Sequence, residues 1–178
     1  MSRWTQVGLA TVVLLVSSVM PAKAQTFLSA GVGGGGGGLI SHRGLAWQGQ
    51  FGGWVNDRVG IEADYGYHAK VLGGGFADNI RTITGGVLIG QKLNADWRAY
   101  GTVGVGLIGA VGQFKDNLAT DEARSNDGGI AIGGGVMGFF SHRWGVRVDV
   151  RYFRELTSLA PSVPNYFTRF GAGLALRF

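Results

Sequence analysis

Glycine interrupts nearly every apolar stretch of this chain, and this feature restricts its fold more than any other. The sequence has 34 glycines among 178 residues. Helix interiors tolerate glycine poorly, at a cost of about 1 kcal/mol per residue relative to alanine. After the first two dozen residues no helical pattern of useful length remains, whereas apolar residues recur at every second position. The chain therefore predicts strands rather than helices.

The alternation is clearest in two segments. From Trp144 to Tyr152 apolar residues alternate with charged or small ones, and the segment from Phe170 to Phe178 repeats the pattern to the last residue. Successive side chains of a strand point to opposite faces, so each such segment has one apolar face. We predict eight strands, with the boundaries Thr26–Gly36, Gly44–Val55, Val59–His68, Ile80–Leu93, Trp97–Gly112, Gly128–Phe140, Trp144–Glu155 and Tyr166–Phe178.

The connections between these strands alternate in length. Three are short and polar, namely Asn56–Arg58, Asn94–Asp96 and Ser141–Arg143. Four are longer, namely Gly37–Arg43, Ala69–Asn79, Gln113–Asp127 and Thr157–Asn165. An antiparallel meander whose long loops all lie on one side has this order. The predicted fold is all-β: an eight-stranded antiparallel up-and-down transmembrane β-barrel formed by residues 25–178 as one domain.

Residues 1–24 have the layout of a secretory signal peptide. Arg3 supplies the positive start, residues 7–20 are apolar, and Ala22-Lys23-Ala24 fits a cleavage site with small residues. A single membrane anchor is the alternative, but the apolar run falls short of the ~20 residues that a spanning helix needs. We predict Sec-dependent export with cleavage after Ala24.

Charge and cysteine content exclude several classes of function. The chain has 16 basic and 11 acidic residues, a net charge of +5, but the charges are scattered singly, so no nucleic-acid surface is predicted. With no cysteine there is no disulfide, thiolate metal site or cysteine nucleophile. The acids of the third long connection lack the spacing of an EF-hand, and neither a cofactor nor a metal site is predicted.

Two observations decide which face meets lipid. A soluble barrel encloses its apolar face, whereas a membrane barrel turns that face outward. Aromatic residues gather near strand ends, where amphipathic rings suit the two interfaces of a bilayer. The band beside the short turns contains Trp54, Trp97, Phe139, Phe140 and Trp144, and the band toward the long connections contains Tyr65, Tyr67, Tyr152, Phe153, Tyr166 and Phe167. The sequence therefore indicates a membrane barrel.

The signal peptide, the loop alternation and the ending Leu174-x-Leu176-x-Phe178 resemble the small eight-stranded outer-membrane barrels. That family includes the membrane domain of outer-membrane protein A and the opacity-type and porin-family barrels. The resemblance implies a location in the bacterial outer membrane, with lipids and lipopolysaccharide as neighbours, and a C-terminal insertion signal at Leu174, Leu176 and Phe178. It also implies periplasmic chaperones and the barrel assembly machinery as partners during biogenesis. We expect a monomer.

With the apolar face outside, the charged residues of the strands point into the lumen. These are Glu62, Asp64, Arg98, Arg147, Asp149, Arg151, Arg169 and Arg177, five arginines against three acids. Eight strands enclose a space that side chains just fill, so one interpretation is a structural network of ion pairs. The other is a gate, in which Arg147 and Arg151 exchange carboxylate partners and open a narrow, anion-favouring path.

We predict a structural or surface-interaction role without catalysis. A narrow pore for small solutes is the alternative, and a lipid-modifying enzyme is a third possibility, for which His68 with Ser158 or Ser162 is the candidate set. The repeated Ser-His-Arg at 41–43 and 141–143 is interpreted as coincidence, because the two copies fall on opposite sides of the membrane.

Two glycine-rich patterns allow other interpretations. Gly104-x-Gly106-x-x-Gly109 matches a dinucleotide-binding motif, but no helix follows it. We predict instead that inward glycines give room to long arginine side chains; they are Gly104, Gly106, Gly133, Gly135, Gly171 and Gly173. The alternative fold is a pair of close-packed membrane helices at 99–114 and 128–140, each shorter than the ~20 residues needed to span a bilayer.

Overall fold

The computed structural model describes residues 25–38, 40–69, 79–116, 119–156 and 165–178, and for residues 40–43, 110–116 and 119–125 it describes the backbone alone. The described residues form eight strands. In chain order they are β1 (Gln25–Gly37), β2 (Ile40–Trp54), β3 (Val59–Ala69), β4 (Asn79–Lys92), β5 (Trp97–Asp116), β6 (Ala119–Phe139), β7 (Trp144–Glu155) and β8 (Tyr166–Arg177).

Each strand pairs antiparallel with its neighbours in sequence, and β1 pairs with β8 to close the barrel. The closing seam runs from Phe27 opposite Arg177 to Gly36 opposite Thr168. Closure satisfies the backbone groups that an open sheet would leave exposed at its two edges, which a bilayer would penalise heavily. The predicted eight-stranded antiparallel barrel is confirmed.

The predicted ends of β5 and β6 are wrong. The ladder between them continues to Asp116 opposite Ala119, so most of the residues predicted as a third long loop are strand. The same holds on a smaller scale for β1 and β2, which pair as far as Gly37 opposite Ile40. Alternation of apolar and polar residues indicates a strand only where lipid or a core covers one of its faces. A hairpin with water on both faces lacks this pattern.

The three short turns share one hydrogen-bonding arrangement. Asn56 Oδ1 accepts from the amides of Arg58 at 2.8 Å and Val59 at 2.7 Å. Asn94 Oδ1 accepts from the amides two and three residues further on at 2.9 and 2.8 Å. Ser141 Oγ does the same, at 3.3 and 2.9 Å. A side-chain acceptor at this position closes a tight turn, which explains why all three connections are short and polar.

The apolar face of the strands lies outside the barrel. In β7, Val148 is 55% exposed and Val150 is 50% exposed, whereas Arg147, Asp149 and Arg151 are buried. This is the arrangement expected in lipid, and the reverse of a soluble barrel. The two segments considered as close-packed helices are β5 and β6, so the helical alternative is wrong. Within the described residues, no helix is long and apolar enough to cross a bilayer.

The barrel interior has three levels. The level nearest the short turns is an apolar cluster of Phe27, Trp54, Leu88, Tyr100, Met137 and Ala175. The level nearest the long connections is a second apolar cluster of Ile80, Ile108, Ala131, Phe153 and Phe167. Charged and polar side chains occupy the level between them. We call the first the lower apolar cluster and the second the upper apolar cluster.

Four of the residues predicted to form aromatic bands face the interior instead. Phe153 and Phe167 are fully buried and stack on each other, with ring centroids 4.7 Å apart. Trp54 belongs to the lower apolar cluster, and Phe139 packs against it. Position near a strand end determines the height of a side chain, but parity along the strand determines its face. Phe153 has the same parity as the inward Arg151, so parity along the strand, rather than position near its end, predicts that Phe153 faces inward.

Glycine allows close approach of β4 and β5 on the interior side. A Cβ atom at Gly106 would lie 1.9 Å from the carbonyl oxygen of Ile83, whereas a Cβ atom at the outward Gly85 would meet nothing within 4 Å. The two glycines lie one position apart along the same ladder, since Gly106 pairs with Thr84 and Gly85 pairs with Val105. They therefore form a matched pair of test positions.

We expect Gly106→Ala to lower the free energy of unfolding by about 2 kcal/mol, because the added methyl group must push two strands apart. Gly85→Ala should raise it by about 0.5 kcal/mol, because alanine loses less backbone entropy on folding. Urea unfolding in lipid vesicles, followed by tryptophan fluorescence, measures both. Equal effects of the two substitutions would contradict the close approach.

Candidate functional site

Six ionised side chains occupy the middle of the barrel interior, between the two apolar clusters. We call them the central charge cluster: Glu62, Asp64, Arg147, Asp149, Arg151 and Arg169. They come from β3, β7 and β8, and each is at most 3% exposed. Alternation places them inside, because each has the inward parity of its strand.

Glu62 connects the two arginines of β7. Arg147 Nη2 lies 2.9 Å from Glu62 Oε2, and Arg151 Nη2 lies 2.8 Å from Glu62 Oε1. Asp149 lies between the same two arginines, with its Oδ2 3.0 Å from Arg147 Nε and 3.2 Å from Arg151 Nη2. Both guanidinium groups therefore contact Glu62 and Asp149, and each of these two carboxylates is shared.

Arg169 binds the remaining acid. Its Nη2 lies 2.6 Å from Asp64 Oδ1 and 2.7 Å from Asp64 Oδ2, and its Nη1 donates to Thr82 Oγ1 at 3.0 Å. Arg151 Nη1 approaches Asp64 Oδ2 at 3.6 Å, which links this pair to the rest of the cluster. The guanidinium carbon of Arg169 lies 4.9 Å from the ring centre of Phe153. Arg169 thus joins the charged level to the upper apolar cluster.

Neutral polar side chains use the remaining acceptor positions of the carboxylates. Gln48 donates to Asp149 at 3.1 Å and Gln50 donates to Asp64 at 3.0 Å, while Thr102 donates to Glu62 at 3.2 Å. Ser29 in turn donates to the Gln50 amide oxygen at 2.6 Å. A buried carboxylate needs such partners, because an unpaired charge in a low-dielectric interior is strongly unfavourable.

Arg98 and Arg177, predicted as part of this network, lie outside it. Both are at the short-turn mouth of the barrel: the Arg98 guanidinium carbon stacks 3.9 Å from the Trp54 ring centre, and Arg177 Nε donates to the His142 carbonyl oxygen at 3.1 Å. Both have the inward parity of their strands, but their strand-end positions put them below the lower apolar cluster. The central charge cluster is consequently three arginines against three acids, neutral rather than positive.

The described residues include one member of the enzymatic candidate set, His68. His68 is buried, with its ring edge-on to Phe167 at 5.3 Å between centroids, and neither ring nitrogen has a hydrogen-bond partner among the described residues. Ser158 and Ser162 lie outside the described residues. Ser141 uses its hydroxyl group to accept turn amides beside the exposed His142, and the side chains of Ser41 and His42 are not described.

Leu174 and Leu176 lie on the outward face of β8, and Phe178 directly follows that strand at the short-turn end. Leu174 and Phe178 are exposed, and Leu176 lies opposite Trp144 of the neighbouring strand β7. The Phe178 amide donates to the Thr26 carbonyl oxygen at 3.0 Å, which completes the closing seam. The chain end is therefore held in the barrel with its apolar side chains toward lipid.

We expect Glu62→Gln to lower the free energy of unfolding by about 3 kcal/mol, because three guanidinium groups would then share two carboxylates in a buried space. Asp57→Asn is the control. Asp57 pairs with Lys92 in an exposed short turn, where water screens the interaction, so its loss should leave the unfolding midpoint nearly unchanged. Urea titration of both variants in vesicles compares them. Equal midpoints would show that the cluster does not stabilise the barrel.

Several solved structures have a fold similar to that of this chain. Neisserial surface protein A (NspA) has a TM-score of 0.67 at 15% identity, over 87% of this chain and 97% of that chain. Ail of Yersinia pestis has a TM-score of 0.61 at 15% identity, over 87% and 99%. The N-terminal barrel domain of OprF from Pseudomonas aeruginosa has a TM-score of 0.59 at 15% identity, over 87% and 97%. No curated protein sequence matches the chain significantly.

Structural similarity at such low sequence identity shows the fold but not the family. The family is shown by a match to a family model. The model for the outer membrane protein beta-barrel domain matches residues 9–178, nearly the whole chain. The closed eight-stranded barrel, its outward apolar face and its inward charges agree with that match. The chain therefore belongs to the outer-membrane β-barrel protein family, and its place is the bacterial outer membrane.

Proposed function

We propose that this protein is a closed outer-membrane barrel that carries no solutes through its lumen and catalyses no reaction. Its role is structural, or it interacts with a partner through the surface that the long connections form. One observation supports this above all: a charge-neutral, hydrogen-bonded cluster lies between two apolar clusters. A lumen filled in this way suits a scaffold better than a channel.

Transport along the lumen would have to separate buried ion pairs. Arg147 and Arg151 each contact two or three carboxylates, so opening a path leaves several charges unpaired among buried side chains. The stacked rings of Phe153 and Phe167 lie above, and Trp54 with Tyr100 lies below. A solute would therefore meet apolar and paired groups in turn, without a continuous polar lining.

Catalysis finds no support in the described residues. His68 is buried at the upper level, and no hydroxyl group of the described residues is hydrogen-bonded to its ring. A histidine acting as general base needs a nucleophile within hydrogen-bond reach and a third group that orients the ring. A purely non-enzymatic role agrees better with this environment.

We expect the mature chain, residues 25–178, to stay at background conductance in a planar bilayer. A heat-shifted gel band serves as the proof of folding, because folded barrels migrate differently from the unfolded chain. Discrete current steps from protein with that band would contradict the closed lumen and favour the pore.

A gated pore is the second candidate function, and the shared carboxylates favour it. Because Glu62 and Asp149 each contact both Arg147 and Arg151, a partner exchange requires only small movements. The neutral cluster removes the reason for anion preference, however. Any pore opened by removing Arg147 and Arg151 together would have excess negative charge and should prefer cations.

We therefore expect the double variant Arg147→Ala with Arg151→Ala, if it conducts, to be cation-selective. The measurement is the reversal potential under a salt gradient, with the Gly85→Ala protein as a folded, neutral control. A folded double variant that stays at background would show that the two arginines are not a gate.

The long connections offer the other site for function. Ail, named as the attachment invasion locus protein, has been solved in complex with the heparin analogue sucrose octasulfate. In the present chain the third predicted connection, Gln113–Asp127, contains four acids and two bases, so a polyanion is not the partner we propose for it. Lipids and lipopolysaccharide surround the barrel in this proposal, and the protein acts as a monomer.

Biogenesis follows from the same proposal. Residues 1–24 act as a signal peptide for Sec export, with cleavage after Ala24, and periplasmic chaperones deliver the chain to the barrel assembly machinery. The outward Leu174, Leu176 and Phe178 act as the insertion signal. The exposure of Leu174 and Phe178 supports this, because an assembly factor can contact them before lipid does.

We expect the barrel to fold without its longer connections. Ala69 pairs with Asn79, and the Glu155 amide donates to the Asn165 carbonyl oxygen at 2.8 Å, so an Asn-Gly turn can replace residues 70–78 and residues 156–164. The shortened chain should keep the heat-shifted band and a similar urea midpoint. Loss of folding would contradict an independent scaffold.

In a deletion strain, rescue of detergent resistance by the shortened chain indicates a structural role, and rescue by the full chain alone indicates a surface role.

A further inference from the structure

A cavity of about 90 Å³ opens at the short-turn mouth of the barrel, on the far side of the lower apolar cluster from the central charge cluster. Phe27, Trp54 and Met137 contribute an apolar floor. Lys92, Arg98 and Arg177 contribute three cations to the wall, and Asp96 is the acid that lines it. In outer-membrane barrels this end faces the periplasm.

Arg98 is fixed in this wall and incompletely paired. It is 8% exposed, and its guanidinium carbon stacks 3.9 Å from the Trp54 ring centre. Its closest carboxylate oxygen is Asp57 Oδ1, 4.0 Å from Nη2, beyond hydrogen-bond distance. Its Nη1 is buried and has no hydrogen-bond partner among the described residues. Arg98 lines the cavity without a closely bound carboxylate, so an anionic ligand there would supply the charge partner that it lacks.

Arg177, which also lines the cavity, is held in a similar way. Its guanidinium carbon lies 4.5 Å from the Phe139 ring centre, and its Nε donates to the His142 carbonyl oxygen at 3.1 Å. The Nη nitrogens make no hydrogen bond within the described part of the chain. Lys92 binds the exposed Asp57. The two arginines are therefore oriented by aromatic rings, with donor groups left for a further partner.

The chemistry of this wall selects one class of ligand. A guanidinium group presents parallel N–H donors that match the two oxygens of a carboxylate. The apolar floor favours carbon over water next to that head group. A cavity of about 150 Å³ lined by apolar side chains holds benzene, so the smaller volume here fits a head group and a short stem.

We propose that this mouth cavity binds a short-chain aliphatic carboxylate from the periplasm, with the carboxylate on Arg98 and Arg177 and the stem on Trp54 and Phe139. This site is separate from the lumen and from the long connections. The proposed site is compatible with a structural role and with a surface role of the barrel, because it depends on neither.

The test uses 4,4,4-trifluorobutanoate and ¹⁹F NMR, with the folded protein in nanodiscs of zwitterionic lipid and empty nanodiscs as the blank. Saturable line broadening is expected, with competition by butanoate and none by the uncharged butanamide. Arg98→Gln and Arg177→Gln should each weaken binding about tenfold. Arg143→Gln is the matched control: it removes the same charge from an exposed short turn at the same end of the barrel, outside the cavity.

Three results would overturn the proposal. Broadening that does not saturate, or that butanamide suppresses equally, would mean partition into an apolar surface. Equal weakening by Arg143→Gln would mean attraction by overall charge. Unchanged binding in a folded Arg177→Gln protein would remove the arginines from the site. Arg177 is more exposed than Arg98, so this variant carries the test if Arg98→Gln lacks the heat-shifted gel band.

Discussion

Charge balance in the middle of the barrel is the constraint on which the rest of the interior depends. Three guanidinium groups and three carboxylates share a space that admits almost no solvent, and every carboxylate contacts more than one partner. Loss of one member leaves an uncompensated buried charge, which is far more unfavourable than the intact set. The cluster therefore restricts substitution at all six positions together. It also restricts conduction, because a path through the lumen must break the same pairs.

Glycine is what makes room for this cluster. A Cβ atom at Gly66 would overlap Arg169, at 1.5 Å from Nη1, and a Cβ atom at Gly133 would lie 2.9 Å from both Cα and Cγ of Arg151. A narrow eight-stranded barrel cannot enclose several arginines if the facing positions also carry side chains. The high glycine content that first indicated strands thus has a second cause inside the barrel. Glycine therefore both disfavours helices and leaves space for the arginine side chains inside the barrel.

The arginines of the interior face divide by height into two environments. Arg147, Arg151 and Arg169 lie between the apolar clusters and are satisfied mainly by carboxylates. Arg98 and Arg177 lie at the short-turn mouth, where the rings of Trp54 and Phe139 orient them and carboxylates do not bind them closely. The first group links β7 and β8 to β3 through ion pairs. The second leaves donors directed by rigid rings, and for this reason the mouth is the place where we propose a ligand.

Much of the fold was present in the sequence, because period two and turn chemistry are local. The alternation from Trp144 to Tyr152 predicted the inward face of Arg147, Asp149 and Arg151, and the short polar connections predicted the hairpins. Only the tertiary structure decided which side chains pair. Glu62 contacts Arg147 across 85 residues of chain, and Arg98 stacks on Trp54 at the mouth. The physical reason is that parity selects a face within one strand, whereas closure and register bring strands together and determine which charges share a level.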